Sequence, residues 1–264
     1  MLRRFIAIAF LLVLPVFAFA VDPKRGELTT DDIPKFMQQI FSEHITYKKM
    51  DSEIMARTVK LFVQQFDPQR TYLLASEAGH FINLKKDTLH QLVVAFGAGN
   101  FAYFQEMIVQ FQQAIERSRA MRKKFDFTSY KAIDYEILKS SQNPVLSELA
   151  PYPQTQEDLE ARFRIKMVRQ IQKLHQQAEQ LGRKLPLEEA VKDVEAEYEQ
   201  FENSYLYVNR EGSPLPAKAK EDLFVFHILK ALTASLDAHS SFLEPDEAYT
   251  LKMRLQKGFD GIGV

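Results

Sequence analysis

Cysteine and tryptophan are absent from this chain of 264 residues, and glycine occurs only 9 times. Without cysteine there is no disulfide, no Cys-ligated zinc, no thiol nucleophile and no lipidated Cys anchor. A charge excess of either sign is missing too: 34 Lys+Arg against 35 Asp+Glu leave a formal net charge of −1. No global field therefore gathers nucleic acid or an anionic membrane surface. What the chain has is apolar bulk, 46% of its residues including 21 Phe. That is enough for the core of one large or two small domains.

Residues 1–20 read as an export signal and are set apart from the fold. Arg3 and Arg4 supply a positive start, Phe5 to Leu14 an apolar run too short for a comfortable membrane span, Pro15 a break, and Ala18-Phe19-Ala20 a small-x-small cleavage site. An uncleaved anchor is the other reading. In both, the remainder is exported, and the membrane is touched only through this segment.

The rest predicts an all-α domain over 21–245. After a polar linker at Asp22–Glu27, Thr29 to Asp32 offer N-caps, and Ile33, Phe36, Met37, Ile40 and Phe41 recur at helical spacing. A second helix starts near Asp51-Ser52 and stops at Asp67-Pro68. Tyr72, Leu73 and Leu74 are apolar residues in a loop and should tuck back between helices as a satellite of the core. Glu77 to Ala95 is an interrupted helix, Gly97 to Asn100 a stop and a fresh cap, and Phe101 to Lys124 a long helix with a basic end (Arg117, Arg119, Arg122, Lys123, Lys124) that suits the helix dipole. Phe125 to Pro153 is irregular. Thr155–Leu181 and Leu187–Tyr207 carry seams of coiled-coil type, joined by a short turn at Gly182–Pro186, and predict a long antiparallel helical hairpin. Arg162, Arg164, Lys166, Arg169 and Lys173 on one helix face Glu188, Glu189, Asp193, Glu195, Glu197, Glu199 and Glu202 on the other, so solvated charges of opposite sign should favour the pairing. A last helix bears Leu223, Phe226, Ile228, Leu229, Leu232 and Leu236.

No reactive constellation stands out. The six histidines (His44, His80, His90, His175, His227, His239) form no His-Glu-x-x-His and no i,i+4 pair, so no helical zinc site is expected. There is no Gly-x-Ser-x-Gly elbow and no phosphate loop, and Gly258, Gly261 and Gly263 are wrongly spaced for a dinucleotide. No cofactor or metal is implied, and nucleic acid is not an expected partner. Asp237-Ala-His239-Ser240 invites a triad reading. Sequence neighbours rarely hold triad geometry, so a turn after the last helix is the reading taken.

Two blocks carry a family resemblance. Leu236-Asp237, His239-Ser240, Phe242-Leu243 and Pro245, followed by Met253 and Gly261-Ile262-Gly263, resemble the junction of the tail-specific proteases, also called carboxyl-terminal processing peptidases. Ala238 stands where that family usually has proline. Phe66-Asp-Pro-Gln-Arg-Thr-Tyr-Leu-Leu-Ala-Ser-Glu77 with Phe81 is similar to a block in the helical N-terminal domain of its long, Gram-negative branch. The resemblance implies a helical domain to about Pro245, then a junction over 246–264 leading into the first strand of an incomplete PDZ domain. It implies a periplasmic serine endopeptidase acting on proteins through unstructured C-terminal tails, with an adaptor protein a possible partner. Its Ser nucleophile and Lys base are expected well beyond the PDZ start, so no catalytic residue is carried onto this chain. The junction residues named for a pivot are Asp237, His239, Ser240, Phe242, Leu243, Pro245, Gly261 and Gly263. An autonomous helical binding or scaffold module without enzymatic activity is the alternative.

Overall fold

The computed structural model describes residues 28–125, 127, 150–237, 240–243 and 250. Among these, the chain forms eight helices: α1 (Asp32–Glu43), α2 (Ser52–Phe66), α3 (Ala75–Ile82), α4 (Lys86–Gly97), α5 (Ala102–Arg122), α6 (Gln156–Gln180), α7 (Leu187–Leu206) and α8 (Ala217–Leu236). The all-α expectation is met for these residues. The expected PDZ strand and export signal lie outside them.

Helix boundaries follow local chemistry. Asp51 starts α2 by accepting the N–H groups of Glu53 and Ile54 at 2.9 and 2.8 Å, satisfying donors that a helix start leaves open. Asn100 gives Ala102 N–H the same service at 3.0 Å. Gly182 ends α6 at φ +67°, with Arg183 N–H on Ala178 C=O at 2.8 Å, the 6→1 bond of a Schellman stop. The hairpin then turns. After the short turn, Phe163 in the first third of α6 meets Tyr198 in the second half of α7 at 4.9 Å, as an antiparallel hairpin requires.

The core is built around α2 and α8. After a polar first turn and a half, α8 is apolar on almost every side, and Leu223 through Leu229 is buried without interruption. A helix hydrophobic all round belongs in the interior. The Phe111 ring of α5 stacks with Phe62 and Phe66 of α2 at centroid distances of 5.8 and 4.1 Å and so joins the two helices.

The loop after α2 is central rather than a satellite. Asp67 is buried and accepts the N–H groups of Thr71, Tyr72 and Leu73 at 2.7, 3.1 and 2.9 Å. One carboxylate thereby folds the whole Asp-Pro-x-x-x-Tyr block. Arg70 donates to Ala150 C=O, Arg162 to Pro151 C=O at 2.6 Å, and Ala75 N–H to Pro153 C=O at 2.8 Å. The stiff Pro151-Tyr152-Pro153 stretch is thus strapped across this loop.

The charge reading of the hairpin is corrected in part. The seam itself is apolar, with Leu159, Phe163, Met167, Ile171, Ala190 and Val194 buried, while on its flank partial burial raises the Glu197 carboxyl of α7 and Lys173 of α6 pulls it back down, the opposite-sign attraction expected across the hairpin. Two charges assigned to solvated faces are interior. Arg162 is buried against the 151–153 strap, and Glu202 has no exposed surface. Glu202 takes its cations from α5: Arg122 reaches it at 2.6 and 2.8 Å and Arg119 at 2.7 Å, while the Tyr72 hydroxyl donates at 2.9 Å. The Arg122 guanidinium also lies 5.5 Å from the Phe163 and Tyr198 ring centroids. Arg117 makes a two-pronged pair with Glu77 at 2.6 and 2.7 Å and donates to Tyr72 C=O at 2.7 Å. The arginines of the α5 terminus are internal struts.

Replacing Glu202 with Ala should cost about 3–5 kcal/mol in urea denaturation, because Arg122 would stay buried without a counter-charge. Glu202→Gln should lose less, since its amide oxygen still accepts.

Two buried titrating groups give opposite pH slopes. Burial pushes the Asp67 carboxyl up to about 6, against its three N–H donors. The folded state then holds a proton the unfolded chain has released, so this contribution is complete below about 3.8 and lost as pH rises through about 6. Burial lowers His227, stacked on Tyr205 at 4.5 Å, to about 3. Its contribution is present above about 6.5 and lost as pH falls toward 3. The variant His227→Phe keeps an aromatic stack and removes the proton. Between pH 7.5 and 5 the wild type should therefore lose about 2 kcal/mol more stability than this variant, read from urea midpoints at each pH.

Candidate functional site

The residues named for a pivot converge on the C-terminal end of α8. Asp237 leaves the helix in extended backbone, φ −155° and ψ 176°. Its Oδ1 accepts Ser240 N–H at 2.7 Å, closing a tight turn. Its Oδ2 lies 2.9 Å from Nε2 of His44, just past α1 and 193 residues away in sequence. Phe242 is half-buried, with its ring 5.4 Å from Phe36 of α1 and 6.0 Å from Phe226 of α8. Leu243 follows, half-buried. His239, Pro245, Gly261 and Gly263 lie outside the described residues.

Two further side chains hold this end of α8, neither of them marked in the sequence. Arg57 of α2 donates from Nε to Ser235 C=O at 2.8 Å, placing a cation where the helix dipole is negative. Its guanidinium also lies 5.2 Å from the Tyr47 ring centroid and bonds Glu53 at 2.8 Å. Thr58 meets the Ser235 hydroxyl at 2.9 Å in the interior. The other end of α8 is tied as well: Asp222 accepts Leu28 N–H at 2.9 Å and Glu221 accepts Thr30 N–H at 2.8 Å.

The imidazole of His44 is fixed in one tautomer. Its Nδ1 accepts Thr46 N–H at 3.1 Å and Tyr47 N–H at 3.0 Å, so the proton is on Nε2 and is donated to Asp237. His239 of the Asp237-Ala-His239-Ser240 stretch lies outside the described residues, and the geometry speaks only for His44 as a partner of Asp237. A catalytic histidine keeps a free lone pair on the nitrogen away from its aspartate. Here that nitrogen is already filled by main-chain donors, so Asp237 and His44 form a structural bond rather than a charge-transfer pair.

Among the described residues no three His, Asp or Glu side chains converge to hold a metal ion. A surface groove of about 470 Å³ runs beside α1, lined by Pro34, Met37, Phe41 and Met50 with Lys48 and Lys49. Among the described residues its lining holds no carboxylate or imidazole. The described residues here form a helix end and the segment that follows it, held by Phe36, His44, Arg57 and Thr58 from α1, α2 and the connection between them.

Compared with known families, the chain is similar over residues 20–246 to the family described as the tail specific protease N-terminal domain. No protein of curated function matches it.

Replacing Arg57 with Ala should cost about 1–3 kcal/mol in urea denaturation, because Ser235 C=O loses a charged donor near the core. Arg57→Lys should recover less than half, since an ammonium cannot serve Ser235 and Glu53 from one planar fork.

Proposed function

From the premise that the chain belongs to the tail-specific protease N-terminal domain family, we propose that it is the scaffold that carries and orients the PDZ and peptidase domains of an exported serine endopeptidase. Such an enzyme takes proteins by unstructured C-terminal tails and cleaves the attached polypeptide. The helices form the wall beside that machinery and help to admit substrate, and an adaptor protein docks on them. Residues 1–20 direct export to a Gram-negative periplasm. The nucleophilic Ser and its Lys base belong to the peptidase domain. That lysine must be neutral to accept the serine proton, which requires burial to lower its pKa.

The observation that carries this reading is the construction of the α8 terminus. The last carbonyls of a helix have no partner within it and must find one elsewhere. This helix end is held by Arg57, Thr58 and His44, and the turn after it is seated through Phe242. The binding energy is spent on where the chain goes next, which is what a carrier of a following domain requires.

Two measurements test the proposal. A signal-less alkaline phosphatase fused after residue 30 should become active outside the cytoplasm. A protein extended past Val264 by PDZ and peptidase domains of this family should cleave a substrate with an apolar C-terminal tail and spare the same substrate with a charged tail. The chain ending at Val264 should cleave neither. An extended protein that stays inert with its Ser and Lys intact would count against the proposal and favour a helical module that works without peptide-bond chemistry.

A further inference from the structure

We infer that His44 is the latch that fixes the direction in which the chain leaves α8. The inference rests on the scaffold reading, and it assigns the holding of the exit to a residue outside both motif blocks.

Asp237 sits at a place that disfavours it. The C-terminal end of a helix carries partial negative charge, so a carboxylate there is repelled rather than stabilised. It keeps its position because a donor is held against it. The His44 side chain is 10% exposed and that of Asp237 41% exposed, so water competes for the carboxylate far more than for the ring. The ring is therefore the fixed member of the pair.

What fixes the ring is its own loop. Thr46 and Tyr47 N–H lock Nδ1, and Lys48 donates to His44 C=O at 2.6 Å. The Tyr47 ring lies 5.2 Å from the imidazole and 5.2 Å from the Arg57 guanidinium, which holds Ser235 C=O. The helix end and the turn beyond it are thus gripped from one connection, between α1 and α2. Asp237 transmits the grip: one oxygen is on His44 and the other on Ser240 N–H. With His44 gone, Asp237 rotates into water, Ser240 loses its acceptor, and Phe242 loses its register against Phe36 and Phe226.

The test is amide hydrogen exchange by NMR on His44→Phe, Asp237→Ala and the double variant. His44→Phe should speed exchange at Ser240 and Phe242 by on the order of tenfold, equivalent to about 1.4 kcal/mol, although His44 touches neither residue. Asp237→Ala should do the same, and the double variant should add little to either, the mark of one coupled unit. Unchanged exchange at Ser240 and Phe242 in His44→Phe, beside fast exchange in Asp237→Ala, would overturn the latch: Asp237 would then cap its own turn unaided. A second measurement holds even if a variant unfolds. The ¹⁵N spectrum of the wild-type ring should show a protonated Nε2 and a bare Nδ1, and a protonated Nδ1 would also overturn the inference. Neither readout involves peptide cleavage, so an inert extended protein would sink the scaffold reading and leave the latch standing.

Discussion

Burying the Glu202 carboxylate makes the rest of this domain interdependent. Taking one carboxylate out of water costs several kcal/mol, and the return comes only if its lone pairs are filled in good geometry. Here Arg119 and Arg122 of α5 and the hydroxyl of Tyr72 fill them, and Arg122 in turn lies beside the Phe163 and Tyr198 rings. Helices α5, α6 and α7 and the loop after α2 therefore have one arrangement in which no charge is stranded. Apolar packing alone tolerates many near-equivalent arrangements. A shared buried charge with directional donors tolerates few, which suits a frame whose task is to keep another part of the molecule in register.

The same logic recurs at smaller scale. Asp67 gathers three main-chain N–H groups and so shapes the Asp-Pro-x-x-x-Tyr block. Tyr72 of that block is where α2, α5, α6 and α7 meet: its ring packs on Phe66 and Phe163, its carbonyl accepts from Arg117, and its hydroxyl serves Glu202. A motif without any catalytic group is explained by this crossing. At the far end of the core, Arg57 and His44 act on α8 as Arg117 does on Tyr72, a side chain from one element satisfying the backbone or carboxylate of another.

Much of this could be read in the sequence. The 3.6-residue spacing of Ile33–Phe41, Ile54–Phe66 and Leu159–Ile171 found the buried faces, and Asp51, Asn100 and Gly182 marked their boundaries, because caps and periodicity are local. The roles of the charges are not legible in the sequence, for an equally physical reason. Glu202, between Phe201 and Asn203, sits in the same kind of local sequence as the exposed Glu199, between Tyr198 and Gln200, and only the third dimension brings it to Arg122 of α5. Arg162 looked like one more residue of a basic strip until the 151–153 strap lay over it. Asp237 was visible as a turn former and Phe242 as part of a motif. His44 was not, since its partner lies 193 residues away and no local pattern announces such a contact. The signals for α8 as the central helix were partly hidden too: its apolar residues run without a period, which a search for one buried face underestimates.

The hairpin of α6 and α7 grips the core over only part of its length. Leu159, Phe163, Met167 and Ile171 are buried, whereas Leu181 at the far turn is 72% exposed. At 1.5 Å per residue α6 extends about 15 Å past Ile171, its last fully buried residue, with Leu174 still half-buried against the core. A cantilever of that kind is stiff at its root and compliant at its tip, so a few degrees of tilt around Phe163 become a sweep of ångströms at Leu181.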